Sequence, residues 1–158
     1  MFELAPVLPL MIGGLLAAFT RGKLRAFLML ASTVIGAYLV YQLDMGEVHV
    51  TVLGMDLTPI RVDRLSILFG YLFHLAAFIG VIYSLHLRDT PQLVASLAYA
   101  ACAVGAVFAG DLLTLFIYWE GLALTSAILV FARRTDRALG AGLRYLLVQV
   151  FSGVLLLA

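Results

Sequence analysis

Charged side chains are scarce in this chain, 12% of residues against 64% apolar, whereas an average soluble domain is about a quarter charged and half apolar. That balance excludes a water-soluble globule. A chain of 158 residues encloses too little interior to hide so much apolar surface, so lipid must be the missing solvent. Neither sign of charge dominates, the net being +1, so bulk charge points to no polyanion and no nucleic acid is expected as a partner. The one cysteine, Cys102, lies inside an apolar run, which excludes a disulfide framework and reads as small core packing. Also missing are a nucleophile beside its base, Cys or His clusters at metal-ligand spacing and a glycine loop for phosphate. No catalytic residue, metal or cofactor is therefore expected.

What is present is a succession of apolar runs, each near the length of about 20 residues that a membrane-spanning helix needs. They predict an all-α integral membrane domain with spans at about 4–20, 25–43, 64–87, 91–109, 111–132 and 138–158. Positive charge follows the first run at Arg21, Lys23 and Arg25, while Glu3 precedes it. A signal peptide has the opposite order, so the segment is expected to be retained as a span. Between the second and third runs, polar residues such as Glu47, His49, Thr51, Asp56 and Thr58 interleave with Val48, Val50, Val52, Leu53 and Leu57. That alternation predicts a β-hairpin over about 46–63 lying on the membrane face and turning near Gly54, with Pro59 ending or bending its second strand. The sixth run is still apolar at Leu155, Leu156, Leu157 and Ala158. Spans usually close on polar or basic anchors, so the chain is expected to be the N-terminal part of a larger subunit or one half of a split one.

Charges in alternating loops predict the orientation. One set carries Arg21, Lys23, Arg25, Arg88, Arg133, Arg134 and Arg137 against Asp89 and Asp136; the other carries Arg61 and Arg64 against Glu3, Asp44, Glu47, Asp56, Asp63 and Asp111. Basic residues collect on the cytoplasmic side, which places the N-terminus and the hairpin outside.

Apart from Arg25, Arg64 and Asp111, which open their spans, two charged residues fall within the predicted spans, Glu120 and Arg144. Glu120 lies nine residues after Asp111 and thirteen before Arg133, near the bilayer midplane at about 1.5 Å per residue. An ionised carboxylate there costs at least several kcal/mol unless it is paired, hydrated or protonated. Desolvation favours the neutral acid, which makes the group a usable proton carrier; the competing reading is a structural hydrogen bond or ion pair to a neighbouring helix. His74, nine residues after Leu65 in a span of the same direction, falls at nearly the same depth. It reads either as a proton relay or as a satisfied core histidine. Gln149 falls in the same layer, which suggests a hydrated strip. Arg144, only seven residues beyond Arg137, either snorkels to the interface or modulates the carboxylate through water. Small residues such as Gly121 and Ala123 follow Glu120, and Ala98, Cys102 and Ala106 form a row four apart in the fourth span. Both patterns fit close helix packing, and the first also leaves room for water or a neighbouring helix beside the carboxylate, with Gly121 weakening the helix where a bulge would be useful.

The stretch Asp111-Leu-Leu-Thr-Leu-Phe-Ile-Tyr-Trp119-Glu120, continuing to Ser126, resembles the fifth span of the antiporter-like membrane subunits of respiratory complex I, membrane-bound hydrogenases and Mrp-type multisubunit cation/proton antiporters. Val62-Asp63-Arg64-Leu65-Ser66 resembles the motif opening that family's third span, with Arg64 where glycine is usual, and Tyr83-Ser84 also fits. Arg144-Tyr145-Leu146-Leu147-Val148-Gln149 and the residues to Gly153 are similar to the sixth span of the D-type Mrp proteins. The likeness covers the whole chain but only the family's first six spans.

The resemblance implies that Glu120 is the family's channel carboxylate, which in relatives works with a lysine on the seventh span. The only lysine here is Lys23, in a loop, so a partner or a continuation must supply the rest of the path. The expected function is a proton-conducting subunit of a Na+/proton antiporter in the bacterial plasma membrane, with a path through Glu120, His74, Arg144 and Gln149. Its expected partners are other membrane subunits of the complex, the lipid bilayer, protons and Na+. The alternatives are a membrane subunit of a redox-driven proton pump, in which case the chain is a translocase component, and a non-transporting assembly subunit.

Overall fold

The computed structural model describes residues 6–52, 54–87 and 89–157. Glu3, the expected opening of the first span, Leu53, Arg88 and the expected close of the sixth span at Ala158 lie outside them. Among the described residues there are six helices: α1 Leu8–Phe19, α2 Gly22–Tyr41, α3 Arg64–Ser84, α4 Thr90–Phe108, α5 Leu112–Phe131 and α6 Asp136–Leu157. The antiparallel pair β1 Gly46–Val52 and β2 Met55–Val62 lies between α2 and α3. Helices α2 to α6 are each long and apolar enough to cross a membrane, and by length and hydropathy the chain is a multi-pass membrane protein. Helix α1 is the exception. It begins at Leu8 with Pro9 in its first turn, where a missing N–H costs nothing. Its 12 residues extend about 18 Å, less than a bilayer core of about 30 Å.

Helices α1 to α4 close into a four-helix ring, α1 and α3 each packing on both α2 and α4. Leu10, Ala17, Met29, Val40, Val81, Leu97, Val104 and Phe108 fill its interior. Helix α5 packs on the outer face of α4, and α6 on α5. Half of the apolar window of α4 is buried but only 11% of those of α5 and α6, so α4 is the axle and the last two helices are a flank. Small residues permit these approaches: a Cβ on Gly105 would strike the Tyr118 ring, and one on Gly121 the Cys102 sulfur. Gly121 therefore serves packing, and α5 runs unbroken through it.

Two local devices set where α3 and α5 begin. Asp63 accepts from the Ser66 N–H at 2.7 Å while Ser66 Oγ accepts from the Asp63 N–H at 2.8 Å, a reciprocal capping box that starts α3. Asp111 caps α5 by accepting from the Thr114 N–H at 2.7 Å and the Thr114 hydroxyl at 2.9 Å. Its second oxygen also accepts from the Thr58 N–H of β2 at 2.8 Å, and the Gly110 N–H donates to the Thr58 carbonyl at 3.0 Å. The hairpin is thus clamped to the head of α5, and Ile60 and Val62 are buried there.

Pro59 does not end β2. The ladder pairs Val48 with Ile60 and Val50 with Leu57, so β2 carries one extra residue at Thr58–Pro59. A bulge absorbs the residue that has no N–H to give. The turn at Gly54 has φ +79°, a conformation that suits a residue without a Cβ. At the opposite end of the molecule, Arg134 pairs with Asp89 at 2.6 Å and joins the α3–α4 and α5–α6 connections.

Candidate functional site

Glu120 stands near the middle of α5 on the face that meets α6. Its Oε1 is buried and has no hydrogen-bond partner among the described residues. The oxygen rests where a side chain on Gly153 of α6 would otherwise be, with the Phe116 ring beside it. Gln149 is one turn before Gly153, so the two share a face of α6; Gln149 is half-buried. A carboxylate oxygen withdrawn from water without a donor is costly in its charged form.

His74 is elsewhere. It lies inside the four-helix ring, 1% exposed, in a space left by Gly36 of α2. Its Nδ1 is 2.8 Å from the Gly70 carbonyl and its Nε2 3.3 Å from the Pro6 carbonyl. A neutral imidazole has one N–H and so donates to one of these oxygens at a time. His74 and Glu120 are both near the midpoints of their helices, but α4 stands between them. The groove of about 500 Å³ shared by α3, α4 and α5 is lined mainly by apolar side chains, among them Phe73, Ala103 and Leu122.

Arg144 is exposed and its Nε donates to the Gly140 carbonyl at 3.3 Å, one turn back along α6. Nine residues separate it from Gly153, which at 100° per residue puts it on the opposite face from the one Glu120 meets. Of the sequence-predicted residues, then, the structure brings Glu120 and Gln149 to one seam and leaves His74 and Arg144 outside it.

The sequence reading missed three residues at this seam. Gly153 makes room for the carboxylate, and Tyr145 and Ser126 bring their hydroxyls to 3.0 Å. The four-residue recurrence of Tyr145, Gln149 and Gly153 was the available signal. Outside the spans, Asp63 and Asp111 are explained by capping. The Ser66 N–H holds the Asp63 carboxyl below the ordinary carboxylate range, with burial opposing and the Ser66 hydroxyl and Arg61 charge helping. Burial pushes Asp111 up, but the Thr114 N–H and hydroxyl and the Thr58 N–H outweigh it and leave its carboxyl low. Among the described residues no three His, Cys, Asp or Glu side chains gather as metal ligands would.

No protein-family model matches the chain, and no curated protein matches its sequence.

Proposed function

We propose that this chain is a proton-conducting part of a multisubunit monovalent cation/proton antiporter, in which Glu120 takes up and releases the proton and Na+ is the exchanged cation. The observation that carries this reading is the buried Glu120 Oε1 with no partner among the described residues, in the middle of an apolar helix. A purely structural carboxylate is normally satisfied by its neighbours; one that alternates between charged and neutral forms needs an environment that does not lock either. The resemblance of the segment ending Trp119-Glu120 to antiporter-like subunits supports the class. His74 enters as a second titratable group at similar depth, separated from the carboxylate by α4. The charge asymmetry of the two ends favours a bacterial plasma-membrane orientation with Arg133, Arg134 and Arg137 inside and the hairpin outside.

A second reading, an assembly subunit, is favoured by the uncovered faces of α5 and α6, with 11% of each apolar window buried. Glu120→Gln separates the two, because Gln keeps the shape and loses the exchangeable proton. In native membrane vesicles the variant should assemble normally while cation-driven proton flux falls to background. Unchanged flux per assembled complex overturns the transport reading, and loss of assembly with flux per complex retained establishes the scaffold.

A further inference from the structure

We infer that the cleft between the end of α5 and the start of α6 binds an anionic phospholipid, with its phosphate on Arg133 and Arg137 and an acyl chain against Leu129, Val130 and Ala141. The site is separate from Glu120 and does not depend on the role given to that carboxylate.

The cleft holds about 720 Å³ and has two zones. Exposed Arg133, Thr135 and Arg137 stand at its rim, and Leu129, Val130, Ala138 and Ala141 form its walls. Leu129 and Val130 come four and three residues before Arg133, and Ala141 comes four after Arg137. Each wall therefore continues inward from an arginine, and the apolar zone begins about one helical turn, or about 5 Å, below the charge. An amphiphile matches that order, whereas a free phosphate uses only the rim. Helices α5 and α6 touch where a Cβ on Gly142 would strike the Phe131 ring. The cleft opens next to this contact, at Ala138 and Ala141, whose short side chains leave the volume unfilled.

Charge at the rim is of one sign. Among the described residues no acidic side chain lines the cleft, and the ion pairs found are His49–Glu47, Arg61–Asp63 and Arg134–Asp89. Arg134, with φ at 52°, thus occupies the carboxylate of the α3–α4 connection and leaves Arg133 and Arg137 to the cleft. Two guanidinium groups suit a phosphate, whose oxygens accept paired N–H bonds. Thr135 adds a donor, because its hydroxyl oxygen accepts from the Ala138 N–H at 3.1 Å while its own proton stays available. The positive end of α6 lies at the same rim. A zwitterionic headgroup would bring its own cation toward these arginines, so a headgroup of net negative charge is preferred. Orientation of the chain asks only for positive charge in this loop. It does not ask for a cleft with apolar walls beneath that charge.

The test uses the full membrane assembly in lipid nanodiscs. The probes are phosphatidylglycerol and phosphatidylcholine, each carrying a photoactivatable diazirine in one acyl chain, with labelled peptides read by mass spectrometry. Phosphatidylglycerol should label the segments around Leu129 and Ala141 severalfold more than phosphatidylcholine does. Unlabelled phosphatidylglycerol should compete, and inorganic phosphate should not. Arg133→Gln combined with Arg137→Gln should erase the preference. Ala141→Leu, which fills the wall and keeps both charges, should lower the labelling severalfold and serves as the check if the arginine variant fails to assemble. Equal labelling of the unaltered assembly by the two lipids shows ordinary boundary lipid and overturns the site, as does a preference that survives both variants. Competition by inorganic phosphate shows an ion site without a chain, and absence of label from both probes shows another subunit covering the cleft. Either of these also overturns the inference.

Discussion

The pairing of Glu120 with Gly153 makes a residue-scale demand that can be measured without any transport assay. A methyl group at 153 would occupy the space of Glu120 Oε1, and overpacking of this kind costs about 1–3 kcal/mol. Gly153→Ala should therefore lower the unfolding temperature in detergent, and the Gly153→Ala/Glu120→Ala double variant should recover part of the loss. A coupling of about 0.5–3 kcal/mol is the range for residues in contact; additive effects would show that the two do not touch. His74 makes a different demand. Its Nε2 faces the Pro6 carbonyl at 3.3 Å, so in the tautomer that carries the proton on Nε2 His74→Leu leaves that oxygen without its donor, at about 1–3 kcal/mol. Amide exchange along α1 should then rise ahead of exchange along α4. Glu120 was legible from sequence because a carboxylate among apolar neighbours is conspicuous by composition alone. Gly153 was not, because a glycine acquires meaning only when the rotation of α6 brings it opposite a particular side chain.

At the scale of elements, the hairpin and α5 behave as one unit because Asp111 serves both. Removing a capping carboxylate costs about 0.5–2 kcal/mol, and here it also frees the Thr58 N–H. Asp111→Ala should destabilise the start of α5 and speed amide exchange at Thr58 and Gly110 while leaving the α1–α4 ring unchanged. The pH dependence has a definite sign. The folded carboxyl is held below its ordinary value, so its contribution is complete above the unfolded value of about 3.9 and is lost as pH falls through the lower folded value. Protection of Thr58 should persist at about pH 5, where the carboxyl is still charged, and collapse only well below the unfolded value. Asp111→Asn should abolish that acid step. The alternation over about 46–63 and the turn at Gly54 were readable from the sequence. The course of β2 through Pro59 was not, since the choice between ending and bulging depends on the α5 head that receives the backbone of Thr58.

At the scale of the molecule, the clamp at Asp111 and the Arg134–Asp89 pair mark opposite ends, and the proposed orientation follows from which end is basic. Cysteine accessibility tests it directly, because the native Cys102 is buried and contributes little background. With a membrane-impermeant maleimide, Glu47→Cys should be modified in right-side-out vesicles and Arg137→Cys only in inverted ones. The reverse pattern would invert the topology. Charge counting reached this expectation unaided, because the energetics of loop placement depend on charge and hardly on packing.

What the sequence determined by itself is what depends on local chemistry and one-dimensional order. The need for lipid, the helical runs, the hairpin and the anomaly of Glu120 belong there, because burial cost and hydrogen-bonding capacity are properties of residue types. Only the tertiary structure decided which groups share a seam. It enclosed His74 in the α1–α4 ring, turned Arg144 away, set Glu120 against Gly153 and paired the Tyr145 and Ser126 hydroxyls further along the same two helices. The physical reason is that helix partners and rotations are chosen by small-to-large packing distributed over the whole molecule, at pairs such as Gly105 with Tyr118 and Gly121 with Cys102. No local window contains both members of such a pair.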